Sequence, residues 1–210
     1  MIRKLEPGDP LIQPARGTSF ENGEHTSGDP CNLAPQAIVH FWFETLRPRQ
    51  WFRQNDALDQ CIRQRFGDLC AQAQNGRLRD WEDEADTALA LVLLLDQFSR
   101  HAWRGDARAF YGDAKAISLS DRAVQRGWLD VEPQRVKRQF WLMPYLHSES
   151  LCNQIKGVAL IERYADEATA RVARRHRSVI QRFGRFPHRN AVLHRANTPA
   201  EVLFLSHPQT

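Results

Sequence analysis

The sequence predicts an all-α protein, and three observations carry the prediction. Apolar residues recur at intervals of three and four along most of the chain, helix start and stop signals punctuate those stretches, and no segment alternates apolar and polar residues between hairpin turns. About eight mostly antiparallel helices are expected, stacked without a regular repeat, because no 34-residue Trp-Leu-Gly-Tyr motif aligns on itself.

The elements follow in order. Residues 1–34 carry two Gly-Asp-Pro triplets, Gly8-Asp9-Pro10 and Gly28-Asp29-Pro30, with no helical or strand periodicity, and are expected to form a disordered or loosely packed arm. Residues 35–210 are expected to form a single helical domain. It opens after Pro35 with Ile38, Val39, Trp42 and Leu46 at helical spacing. A second helix begins behind Asn55 as N-cap, carries Leu58, Ile62, Phe66 and Leu69 on one stripe, and stops at Asn75-Gly76. A third starts near Asp86 and is apolar all round from Ala88 to Leu95, as a helix surrounded by others would be. A fourth is read from about Asp106 to Gly127, and a shorter stretch from Pro133 to Phe140 ahead of Pro144. The next is read from near His147, with Leu151, Ile155, Val158 and Ile161 facing inward. A seventh spans Glu167 to Phe183, closed by Gly184 and Pro187. The last has Thr198, Pro199 and Glu201 at capping-box positions, with Val202, Leu203 and Leu205 expected to dock it.

A chain of 210 residues can bury a sizeable core. The longest apolar run, Ala88 to Leu95, falls far short of the roughly 20 residues a membrane-spanning helix needs. The first twenty residues contain no apolar signal core, so a cytoplasmic protein is expected. Cys31, Cys61, Cys70 and Cys152 form no Cys-x-x-Cys pair and read as buried thiols. The charge is uneven. Residues 168–200 hold eight arginines and no Asp or Glu, leaving 21 basic against 25 acidic residues elsewhere.

Several residues break local rules. Asp96 ends the apolar run, at what reads as the C-terminus of a buried helix, where the macrodipole disfavours an anion by up to about 1 kcal/mol. Arg100 and Arg104, one and two turns on, are its expected partners, with Gln97 beside it. His147 reads as entering a core or cavity at a helix N-terminus, where unpaired N–H groups suit an anion. His176 lies on the apolar face of an arginine-covered helix. The run from Arg182 through Arg185, His188 and Arg189 to Asn190 packs hydrogen-bonding groups onto a turn, and guanidinium forks suit carboxylate or phosphate.

His40-Phe41-Trp42-Phe43, the stretch from Leu94 to Arg100, Arg104-Gly105, the stretch from Met143 to Glu149 and the Arg182 to Asn190 run together resemble the bacterial domain-of-unknown-function family numbered 924. The resemblance covers about residues 35 to 205. It implies a helical fold like that of tetratricopeptide-repeat proteins, and no stated activity. This chain departs from the family pattern at Ser99 and His101, where Pro and Asn are usual, and at His194, where Gly is usual before Arg195.

The family's stretches coincide with the rule-breaking residues, which suggests one site assembled from three helix ends. The expected function is binding of a small carboxylate- or phosphate-bearing ligand in an Arg/His-lined pocket. Arg100, Arg104, Arg182, Arg185 and Arg189 would grip it, Asp96 and Glu149 would orient the arginines or a histidine, Gln97, His176 and Asn190 would join in binding the ligand, and His147 or His188 would be the general acid or base. The alternative is an interaction module whose helical groove takes an acidic peptide or partner helix. A third reading makes the set a structural salt-bridge network; against it, the 168–200 stretch has no acids of its own. Nucleic acid is not the expected partner, since the rest of the chain is acidic. No cofactor is implied, and His147, His176 and His188 lack any metal-binding motif spacing.

Overall fold

The computed structural model describes residues 34–206, so the expected arm lies outside the described residues except for Ala34. These residues form helices and contain no strand. The elements are α1 (Pro35–His40), running into a π-helical turn at Phe41–Thr45; α2 (Pro48–Trp51); α3 (Asp56–Gln74); and α4 (Ala85–Val92). A second π-helical turn, Leu93–Phe98, continues α4 into α5 (Ser99–Ala102). Then come α6 (Asp113–Gln125), α7 (Trp128–Val131), α8 (Arg135–His147), α9 (Leu151–Tyr164), α10 (Glu167–Phe183) and α11 (Pro199–Ser206). No helix among them is long and apolar enough to cross a membrane.

The all-round apolar run is the central helix. Every residue from Ala88 to Ser99 is buried, and α4 with its π-helical extension packs against α1, α3, α6 and α8. Phe41, Trp42, Phe66, Phe98 and Phe140 interlock around it with ring centroids 5.0–5.9 Å apart. Helix α8 then packs on α9 and α9 on α10. Between α8 and α9 the approach is tight enough that only glycine fits at 157, since a Cβ there would lie 2.6 Å from Tyr145 Cβ.

Several expectations need correction. The helix read from Asp106 is broken: Asp106 caps a 3-10 turn at Ala107–Phe110, and α6 starts only at Asp113. The break sits at Gly112, whose Cα lies so close to the Leu95 carbonyl that a Cβ would approach it to 2.7 Å. Helix α8 does not stop before Pro144 but passes through it to His147. Proline costs a helix interior about 3 kcal/mol, and burial of Phe140, Trp141, Leu142, Met143, Tyr145 and Leu146 outweighs that. His147 therefore ends α8 instead of opening the next helix, and its supposed N-terminal anion site falls away. On α9, Leu151 and Ile155 are exposed, while Gln154, Gly157, Val158 and Ile161 form the buried face.

On α11 the capping box is present, with Thr198 N–H donating to Glu201 Oε2 at 2.7 Å. Yet Val202, Leu203 and Leu205 are exposed, and docking is carried by Glu201 and by Phe204 against Phe183. Of the thiols, Cys70 is buried and pushed up by that burial, whereas Cys152 is exposed.

Candidate functional site

The π-helical turn changes what Asp96 is. Asp96 does not face an adverse helix terminus, because the helix continues to Ala102. It is wholly buried, and three groups satisfy it: Gln97 Nε2 at 2.5 Å, His147 Nδ1 at 2.7 Å and the Arg100 guanidinium at 3.5 Å. Burial alone would raise its carboxyl, but the charges of His147 and Arg100 overcome that and hold it at about 2. A carboxylate only accepts, so His147 donates through Nδ1, and Nε2 has no hydrogen-bond partner among the described residues.

His147 lines a cavity of about 450 Å³, together with Arg100, Arg104, His176, His188 and Arg189. Phe52, Phe110 and Phe186 supply its aromatic walls. His176 donates from Nδ1 to the Leu146 carbonyl at 3.0 Å, and burial with the nearby His147 lowers it to about 4, so it is an uncharged imidazole at neutral pH. Burial and the Arg189 charge also hold His188 below its ordinary value, although this residue is exposed at the cavity mouth. The three histidines thus share one cavity, but no group of three His, Cys, Asp or Glu among the described residues is arranged to hold a metal ion.

The arginines differ sharply in how they are engaged. Arg100 forks onto Asp113 at 2.9 and 3.1 Å, and Arg104 onto Asp59 at 2.5 and 3.0 Å. Arg185 forks onto Glu201 at 2.7 and 2.9 Å, which pins α11 and leaves Arg185 outside the cavity. Arg182 covers the Phe183 ring on the surface, also away from the cavity. Glu149 faces Arg195, accepting at 2.7 and 3.0 Å, and accepts from the Phe186 N–H at 2.8 Å. Asn190 is fully buried between Asn197 and Arg195. So Glu149, Arg185 and Asn190 shape the turn that carries His188 and Arg189, and do not line the cavity. The absence of acids within 168–200 is made good from elsewhere, by Asp113, Glu149, Glu162, Glu167 and Glu201.

Arg189 stands apart. Its side chain is 8% exposed, with its guanidinium carbon over the Phe110 and Phe186 rings, 4.7 Å from each centroid. Its nearest acid, Asp113, is 3.6 Å away and already forked by Arg100, and its Nε is buried without a hydrogen-bond partner. Burial and the Arg100 charge lower it to about 10.

Sequence reasoning missed Asp113, Asp59, Phe52 and Phe110 as parts of the site. Asp113 and Asp59 lie 13 and 45 residues from the arginines they bind, so no local spacing marks them. The aromatic residue Phe186 within the Arg182 to Asn190 run was the one available sign that a guanidinium there would be stacked.

Comparison with known proteins gives the wider setting. A family described as bacterial protein of unknown function (DUF924) matches residues 38–209. A solved structure of a protein of unknown function from Agrobacterium tumefaciens is similar, with a TM-score of 0.75 and 34% identity over 81% of this chain and 96% of that one. No curated protein matches. With the match running through α1–α11, the chain belongs to the bacterial protein family of unknown function DUF924.

Proposed function

We propose that the cavity between α5, the end of α8 and the Arg182 to Asn190 turn binds a small anionic molecule, and that His147 moves a proton there. The observation that carries this reading is the His147–Asp96 pair. A fully buried carboxylate fixes one imidazole nitrogen at 2.7 Å, and the residue lines a cavity shared with three arginines. That arrangement fixes the tautomer and orientation of a general acid or base. It favours His147 over His188, which has no comparable partner among the described residues. Convergence of these groups on one cavity of a size suited to small molecules favours this reading over an extended peptide groove.

The test is thermal unfolding of the full chain against carboxylates, phosphates and nucleotides. A ligand at a hundredfold excess over its dissociation constant stabilises by about 2.7 kcal/mol, a shift of roughly 5 to 10 °C for a chain this size. A response that weakens in Arg100→Met and Arg189→Met supports the reading, with His147→Gln retaining binding. An unresponsive panel sinks it.

A further inference from the structure

The cavity is lined by three arginines and no acid, and the acids that partner them stand behind its lining. Arg100, Arg104 and Arg189 face Asp59, Asp96 and Asp113, and two of the three arginines spend their forks on carboxylates within the protein. Of the three, Arg189 alone has a buried donor without a partner among the described residues, its Nε, and its nearest acid is shared. A buried donor without a partner is costly, and a buried cation more so, unless something that binds there supplies the acceptor. The Phe110 and Phe186 rings each lie 4.7 Å from the guanidinium carbon, and a guanidinium directs its N–H donors in its own plane, the geometry that a planar, bidentate carboxylate meets.

Charge count points the same way. A phosphomonoester dianion brings two negative charges to a site where one guanidinium lacks a bonded counter-ion, whereas a monocarboxylate brings one. The remaining walls, Phe52, Ala109, Phe110 and Phe186, are apolar and suit a hydrocarbon body. Resting on the reading of this cavity as an anion site, we infer that its ligand is a monocarboxylate with an aromatic or aliphatic body, held through Arg189.

The experiment measures the thermal midpoint of the full chain, in a buffer free of carboxylate and phosphate, with benzoate, hexanoate, acetate and inorganic phosphate at equal concentration and ionic strength. Benzoate or hexanoate is expected to raise the midpoint by several degrees, acetate less, and phosphate by under one degree. In Arg189→Met the response is expected to vanish while the ligand-free midpoint stays level or rises, because an under-satisfied buried cation has been replaced by an apolar chain of similar length. That combination separates a ligand anchor from a merely structural arginine. Should Arg189→Met not fold, Arg189→Lys keeps a charge but loses the planar fork, and the same loss of response is expected. Phosphate outperforming the carboxylates overturns the inference and leaves the anion-cavity reading standing. Undiminished carboxylate binding in either variant also overturns it. No response to any of the four overturns the inference, and the cavity reading falls with it only where the wider panel with nucleotides is silent as well.

Discussion

His147 Nδ1 donates to Oδ1 of Asp96 at 2.7 Å, across 51 residues of sequence, and so ties the end of α8 to the π-helical turn at the centre of the molecule. Asp96 to Asn should therefore disturb both stability and the cavity. The Asp96 carboxyl sits at about 2 in the folded protein against 3.8 for the free side chain, so its ionised form favours folding. That contribution is present above about pH 4 and lost as pH falls toward 2; the shift corresponds to about 2 kcal/mol. Urea denaturation should find Asp96→Asn less stable by about that amount at pH 7, with the gap to wild type closing between pH 4 and 2. Parallel curves over that range would show that Asp96 is not held as an ion.

His176 has the opposite chemistry and a different pH window. Its folded value of about 4 lies below the 6.5 of a free imidazole, so protonation favours the unfolded chain. Its stabilising effect is complete above pH 6.5 and is lost progressively down to pH 4, by roughly 3 kcal/mol. His176→Gln can keep a donor to the Leu146 carbonyl without the titration, and should flatten the stability curve between pH 6.5 and 4. An NMR titration of the ring protons with a midpoint near 6.5 would contradict this assignment.

Arg185 and Glu201 make a separate prediction about α11. The two-pronged contact at 2.7 and 2.9 Å, with the Ala196 carbonyl accepting a further bond at 2.9 Å, joins the turn after α10 to the first turn of α11. Arg185→Ala should speed amide hydrogen exchange throughout Pro199–Ser206 while exchange in α4 and α8 is unchanged. Since Arg185 does not line the cavity, the variant should retain the anion response of wild type. Loss of that response with α11 still protected would return Arg185 to the ligand site.

Legibility followed the range of the forces involved. Helix α10 was readable to the residue, because its ends are set locally: Asp166 caps it by accepting from Thr169 N–H at 2.8 Å, and Gly184 closes it in left-handed backbone at φ 69°. Pro144 misled for the same reason. The local rule ends a helix there, and only the buried residues Phe140 to Leu146, whose packing is tertiary, overrule it. The stretches that make the site, and the residue types in them, stood out in the sequence as polar groups in apolar surroundings. Their pairing did not, since Arg100 with Asp113, Glu149 with Arg195 and Asp96 with His147 meet across helices. Arg189 could be seen as a cation, but its lack of a bonded acid could be learned only once Arg100 had forked onto Asp113 and Arg195 onto Glu149.

His194 provides the last prediction. It is the described non-glycine residue with positive φ, at 52°, where a Cβ is disfavoured by roughly 1 kcal/mol or more. The turn it makes brings Arg195 back onto Glu149 and onto Asn190 Oδ1 at 3.0 Å, so the strained backbone serves the frame that holds His188 and Arg189 in place. The His194 side chain is exposed, and removing it forfeits little burial. His194→Gly should raise the urea midpoint, by about 1 kcal/mol in stability, with an unchanged denaturant slope and an unchanged anion response. His194→Val, whose branched Cβ fits this backbone worse, should lower it by a similar amount. A glycine variant less stable than wild type would mean that the imidazole makes a contribution larger than the strain it imposes.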